Sequence, residues 1–586
     1  MDDDLCFTPA VELARRLHAR ELSARELLAA FLDRIHRVNP ALNAIVTLVE
    51  DQATRQAAEA DETAARGVPL GPLHGLPIAV KDLADTAGIR TTYGSPLFAD
   101  HVPDRDAPHV AALRSAGAVI IGKTNTPEFG AGSQTFNTVF GATRNPWNPR
   151  LTPGGSSGGA AAAVAAGLLP FADGSDLAAS VRNPAAMCSL FGLRTTPGFI
   201  GSKDPEQDDV FDPLSVVGPI ARSAEDAALL LSALRGRDPG LPLARPGASA
   251  TGASAVVGQP LESVAGLRIA WSPSLGGLPV EPEVARVLGR ALAALADADA
   301  IVTEAEPDLA PADEVFQVLR GVLMAGSDST LLRPHRDQLK DTLIWNIEYG
   351  LALTGAQVAA ALGRRSEIFG RMKTFMRDYD VLAAPTVQVL PFPVEREWVT
   401  EINGAPQETY IDWLRSCSRI TVTAHPAISV PAGLSVDGLP VGLQLVGGYG
   451  TDERLLAIAA TVGQTLMPSP ARPAILGSGH FGDFGYFAHP SVRLVSMMLV
   501  AECAITPLTA RDRGEYTRAG FRWMSAPRSG DGLGMAHSPV HVRFVGHNGT
   551  DVIPGPGEHV TGPSAWVEVR RNVDCLSIYC DVCGHT

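Results

Sequence analysis

Between residues 8 and 37 apolar side chains return every three or four positions, the spacing of an amphipathic helix with one buried face. Ser23 and Glu26 stand three apart ahead of LLAAFLDRI, the pattern of a capping box, so a helix is predicted to begin there. The pattern then shortens. In GLPIAVKD the apolar run Ile78, Ala79, Val80 is followed at once by Lys81, which predicts a short buried strand delivering an amine to a loop. APHVAALRSAGAVIIGK, from Ala107, reads as a helix, a glycine stop and a buried strand. This rhythm predicts an α/β fold. Residues 125–137 are polar and broken by glycine, hence a loop.

Residues 237–265 are rich in Pro, Gly, Ala and Ser without periodicity and read as a surface connection. Beyond them GLRIAWSP predicts a strand, PEVARVLGRALAAL a helix, residues 311–378 a mostly helical stretch, and YDVLAAPTVQVLPFP a buried strand running into a loop. Composition adds little to this: 45% hydrophobic and 19% charged residues are ordinary for a soluble globular chain. Charge adds more. A net charge of −15 argues against nucleic acid or an anionic membrane as partner. No apolar run is long enough to span a bilayer, and MDDDLCF lacks an export pattern, so a cytoplasmic location is expected.

Seven of the 14 histidines and four of the seven cysteines fall in residues 477–586, which sets a boundary between a main domain, 1–476, and an atypical C-terminal extension. The extension is expected to be a disordered appendage or, as a second reading, a small metal-binding module built on Cys575, Cys580, Cys583 and His585. One CxxC is half of a zinc site, which needs four ligands and usually a second pair at set spacing, so no metal is assigned. Sparse cysteine elsewhere fits a reducing compartment.

The candidate chemistry concentrates in residues 151–199, LTPGGSSGGAAAAVAAGLLPFADGSDLAASVRNPAAMCSLFGLRTTPGF, where long side chains are scarce. Backbone must approach backbone or ligand there. GGSSGG runs into a helix-forming segment whose first N–H groups suit developing negative charge. A phosphate-binding loop would need Lys-Ser or Lys-Thr after the glycines, and Ala160 follows Gly159. Ser157 formally sits in a GxSxG elbow, but the preceding RNPWNPRLTP is too proline-broken to be the strand an elbow requires. A third mechanism is a serine activated by lysine. Burial of Lys81 would lower its pKa and let it act as a general base; the plainer reading is a lysine that snorkels outward or pairs with Asp82. Ser180, preceded by Ala178 and Ala179, has backbone N–H groups beside it able to reach a substrate oxygen.

These segments together resemble the amidase signature family: GLPIAVKD, GKTNTPEFGAGSQTFN from Gly122, GGSSGG, GSDLAASVRNPAAMCSLFGLRTTPG from Gly174, VGPIARSAEDAALLL from Val217 and PAISVPAGLSVDGLPVGLQLVG from Pro426, in the family's order up to about residue 475. The resemblance implies a large twisted mixed β-sheet core surrounded by α-helices, with a variable helical cover over about 275–378. It makes Ser180 the nucleophile, Ser156 a bridging serine after a cis peptide bond and Lys81 the base. The N–H groups of Leu177, Ala178, Ala179 and Ser180 become the oxyanion hole, and neither cofactor nor metal is called for. Gly132, Ser133 and Gln134 are placed beside the pocket as substrate-binding residues, while Asp176 and Arg182, with Asp173 as a candidate to join them, are structural. Trp345, Tyr349 and Phe369 are expected in core packing or at an entrance, and His425 in a structural or pocket-lining role.

The chain departs from the family at Ala178 and Ala179, where glycines are usual. Alanine strains a turn that needs positive φ, and the methyl groups would narrow the pocket. The activity implied is hydrolysis of an amide, aryl amide or carbamate C–N bond in a small molecule, by a monomer or homodimer. The alternatives are the glutamine-hydrolysing subunit of a tRNA amidotransferase, working with a partner, and a binding relative silenced by Ala178 and Ala179.

Overall fold

The computed structural model describes residues 3–203, 209–235, 242–243, 260–469 and 471–473, together with the strands at 540–542, 567–572 and 575–580. Two units are distinguished, Met1–Gly479 and His480–Thr586. In the first, strands β1 (Ile45–Leu48), β2 (Pro77–Lys81) and β3 (Val119–Thr124) form a sheet in the order β1-β3-β2. Every position of β2 and β3 is buried, which is why both read as continuous apolar runs instead of alternating ones.

A mixed sheet of eight strands carries the rest: β4 (Phe171–Asp176), β5 (Phe191–Arg194), β6 (Val216–Ala221), β7 (Arg268–Trp271), β8 (Ile301–Glu304), β9 (Val381–Pro385), β10 (Ala427–Leu434) and β11 (Pro440–Val446), in the order β8-β7-β9-β11-β10-β5-β6-β4. The pairs β7–β8 and β7–β9 are parallel and the others antiparallel. This is the mixed α/β architecture expected.

Helices cover both sheets. In α1 (Ala24–Leu42) the Ser23 side chain accepts from the Glu26 N–H and both halves of the capping box are present. Helix α2 (Pro108–Ser115) stops at Gly117, whose φ of +88° turns the chain into β3. Helix α3 (Gly158–Ala165) is buried at every position. A Cβ on Gly159 would lie 2.3 Å from Asn125 N, so glycine alone lets α3 press against the loop after β3. The short α4 (Arg182–Met187) follows the second serine loop. The span 275–378, expected as a helical cover, holds a helix at Pro282–Asp297 and sheet strand β8 as well as α5 (Ala312–His335), α6 (Asp341–Ala352) and α7 (Gly355–Phe375). Its aromatic residues pack on one another: Trp345 stacks on Tyr349 and meets Tyr410 edge-on, and Phe369 packs against His425 and Tyr449.

In the second unit Val540–Val542, Val567–Asn572 and Cys575–Cys580 form an antiparallel sheet. The side chains of Cys575, Cys580, Cys583 and His585 lie outside the described residues, as does most of the 237–265 stretch. Among the described residues no helix is long and apolar enough to cross a membrane.

Candidate active site

Lys81 ends β2 and is 1% exposed. It neither snorkels nor pairs with Asp82, whose carboxylate accepts from Thr92 N and Oγ1. Instead its Nζ lies 2.7 Å from Ser156 Oγ, 2.9 Å from Ser157 Oγ and 3.0 Å from Ser175 Oγ. Burial without a contacting carboxylate pushes its pKa down to about 7, against the weaker upward pull of Asp173 and Asp176. The consequence is chemical. An ammonium offers three protons to three hydroxyls, whereas a neutral amine offers two and accepts one, so one serine can hand its proton to nitrogen.

The loop carrying Ser156 is held by its neighbours. The Gly155–Ser156 peptide is cis. Ser133 Oγ donates to Gly155 O at 2.6 Å and Thr135 Oγ1 to Gly154 O at 2.8 Å. A Cβ on Gly155 would stand 2.8 Å from Thr135 Oγ1 and 3.0 Å from Ser133 C, which ties the glycine to that brace.

The loop carrying Ser180 turns on a buried ion pair. Asp176 accepts from Arg182 Nε at 3.0 Å and Nη2 at 2.9 Å, and from the N–H groups of Val181 and Arg182; Arg194 lies 3.4 Å away. Burial alone would raise this carboxyl, but the two arginines and the backbone donors outweigh it and hold it at about 2. Arg182 also donates to Gln444 Oε1 at 2.7 Å, Cys417 O at 3.0 Å and Thr421 Oγ1 at 2.9 Å. Its last bond, to Ala178 O at 2.7 Å, fixes the 178–179 peptide, so that the Ala179 N–H points away from the guanidinium. Every polar group of this pair is matched, which a buried pair requires. Ser180 is 8% exposed, and its carbonyl accepts from Ser157 N at 3.1 Å, joining the two serine loops.

Ala178 and Ala179 correct two expectations. Neither has a positive φ, so alanine introduces no strain. Neither lines the cleft: both methyl groups belong to an apolar cluster with Ala186, Met187 and Phe316. The cleft itself, about 690 Å³, reaches Lys81, Asp173, Ser175 and Leu177; Leu83, Phe129, Leu323 and Met324 give it an apolar side, and Arg105, Asp106, Asp209, Asp212 and Asp328 a charged one.

Neither Ser156 and Ser180 nor Gly132, Ser133 and Gln134 are among the residues that line this cleft. Ser133 braces Gly155, and Gln134 donates to Val394 O at 2.8 Å and Arg396 O at 3.3 Å while accepting from Thr152 Oγ1. His425 is buried, with Nδ1 2.8 Å from Thr423 O. Burial brings its pKa down to about 4. Ser157 and Ser175 are the partners of Lys81 that sequence reasoning did not find. Both lie inside the motifs already singled out, but a motif does not say which of its serines faces the amine.

A buried amine at a strand end, in reach of serine hydroxyls, beside a backbone loop fixed by an internal ion pair, marks the class of hydrolases that activate serine with lysine instead of histidine. Residues 26–456 match the Amidase family model, and the chain belongs to that family. It is 40% identical over 467 residues to an acylamidase of Rhodococcus erythropolis, covering 78% of this chain and 95% of that one. It is 35% identical over 501 residues to a glutamyl-tRNA(Gln) amidotransferase subunit of Moorella thermoacetica, covering 80% and 99%. Among solved structures, a bacterial aryl acylamidase of the amidase signature family superposes with a TM-score of 0.73 at 28% identity, covering 78% of this chain and 96% of that one. The 6-aminohexanoate cyclic dimer hydrolase does so at 0.72 and 30%, covering 80% and 99%. The protein is a hydrolase acting on amide C–N bonds.

Proposed function

We propose that the protein is a stand-alone amidase that cleaves small-molecule amides through a Ser180 acyl-enzyme, with Ser156 as relay and Lys81 as base. Neutral Lys81 takes the Ser156 proton while Ser156 takes that of Ser180, whose Oγ attacks the carbonyl carbon. The N–H groups of Leu177, Ala178, Ala179 and Ser180 receive the oxyanion. The relay then returns the proton to the leaving nitrogen as the C–N bond breaks, and water cleaves the ester by the same route. The observation that carries this reading is the 2.7 Å contact between a fully buried Lys81 Nζ and Ser156 Oγ. In this reading Gly132, Ser133 and Gln134 border the bound substrate, with Ser133 also bracing Gly155.

The apolar side of the cleft, Leu83, Phe129, Leu323 and Met324, suits an aryl or aliphatic group of a neutral amide or carbamate. The similarity to an acylamidase supports the same class. Similarity to amidotransferase subunits supports a second reading, glutamine hydrolysis in a complex that uses the ammonia. Release of 4-nitroaniline from a neutral acyl nitroanilide by wild type and Ser180→Ala, alongside ammonia release from glutamine, separates them. Nitroaniline release by the wild type alone is expected. Glutamine turnover alone would favour the complex, and equal turnover by Ser180→Ala would refute the nucleophile.

A further inference from the structure

Beneath Lys81 lies an ionisable pair that the steps above do not use. Asp173, on β4, is 1% exposed, and its Oδ1 accepts the Lys81 backbone N–H at 3.1 Å. No backbone ladder joins β2 to β4, so this side chain links the end of one sheet to the edge strand of the other. Its second oxygen stands 3.6 Å from Nε2 of His109, on α2. His109 is itself buried at 5% exposure, and its Nδ1 has no hydrogen-bond partner.

A brace for one N–H does not need a charge. Asparagine would accept the same bond without burying a carboxylate, and a buried charge lacking a full set of partners is costly. What the charge acts on is found by going round Lys81. From β4 it is faced by Asp173 and Asp176, and Asp176 is taken up by Arg182 and Arg194. On β3, Lys123 directs its Nζ to Ala84 O, Thr86 Oγ1 and Thr91 Oγ1. Asp82 is bound to Thr92, and the serines around Nζ are neutral. Asp173 is therefore the carboxylate near the amine that no arginine offsets, with His109 packed against it and the buried Lys123 as the other titratable group within its field.

We propose that Asp173 is a positioning residue for the base: its carboxylate fixes the Lys81 backbone at the strand end, and its negative charge keeps the amine basic enough to take the Ser156 proton, with His109 packed against the outer oxygen. The inference rests on Lys81 being the base.

The test is the pH profile of the rate at which Ser180 is modified by a neutral alkyl fluorophosphonate, which needs no knowledge of the substrate. In Asp173→Asn the acceptor for Lys81 N–H remains and the charge is gone, so the acid limb is expected to move to lower pH by on the order of one unit. The plateau rate should fall by about 3- to 10-fold, because a weaker base drives the transfer less. His109→Lys leaves Asp173 in place and sets a cation against it, so its limb should move the same way, and it decides the matter if Asp173→Asn does not fold. A purely structural brace would lower the rate without moving the limb. Limbs at the wild-type position in both variants overturn the proposal. Unchanged modification of Ser180 in Lys81→Met would instead overturn Lys81 as base, a separate failure.

Discussion

Replacing Lys81 with methionine should end turnover and, at and below neutral pH, make the protein more stable. In the unfolded chain the amine has its ordinary value of 10.5, and burial lowers it to about 7 in the fold. Because the folded value is the lower one, the unfolded chain holds a proton between these two limits that the native protein does not. Stability therefore rises with pH through that window and is lowest below about pH 7, where the native protein must carry the buried ammonium. At about 1.4 kcal/mol per pH unit the full cost is about 5 kcal/mol. Methionine removes that cost but also the bonds to Ser156, Ser157 and Ser175, each contributing about 0.5–1.5 kcal/mol. The net gain is about 1–3 kcal/mol near pH 6, declining to a net loss near pH 10. Thermal unfolding of both proteins across this range measures it as a midpoint difference of on the order of 1–4 °C per kcal/mol. Other groups, Lys123 among them, titrate in both proteins and cancel in the difference. A wild-type-minus-variant difference that stays flat with pH would show that Lys81 titrates as an ordinary lysine and would remove the basis for its role.

Three further outcomes follow from the same geometry. Arg182→Met leaves Asp176 with Arg194 alone and strips the donors from Gln444, Cys417 O and Ala178 O, so a loss of about 3–5 kcal/mol is expected in thermal unfolding, and Arg182→Lys should not restore it; a loss below about 1 kcal/mol would mean the loop is held otherwise. In Gly174→Ala the new Cβ would stand 2.8 Å from Ser157 Oγ and 2.9 Å from Val181 Cγ2, which should displace Ser157 from Lys81 and cost up to about 100-fold in turnover with the fold retained by circular dichroism. Truncation after Gly479 should leave the amidase rate unchanged, because the family match and the site both end before it; a collapse of the rate would show that the second unit contributes.

Much of the frame was legible in the sequence because it follows from local rules. The strand ending at Lys81, the Ser23–Glu26 box and the glycine stop before β3 are each fixed by a few adjacent residues, and each is found where the pattern puts it. The partners of Lys81 were not legible in the same way. Ser157 and Ser175 come from segments far apart in the chain and meet the amine only through the packing of α3 and β4 against β2. Gln134 shows the opposite limit. The family resemblance placed it beside the pocket, but its amide is drawn to carbonyls at Val394 and Arg396, more than 250 positions away, a link that no local pattern could signal.

The alanines at 178 and 179 bear most directly on whether the site works. The case for a silenced relative stood on two consequences of replacing glycine, a strained turn and a narrowed pocket. The turn is unstrained, since neither residue has a positive φ, and the Arg182 bond to Ala178 O sets the peptide between them by a contact that does not depend on side-chain size. The methyl groups face the apolar cluster around Phe316, on α5, and not the cleft. What they change is therefore the packing of the nucleophile loop against the helical cover. The side chains that line the cleft beside Ser175 are others, and Leu177 is the one that the nucleophile loop itself supplies.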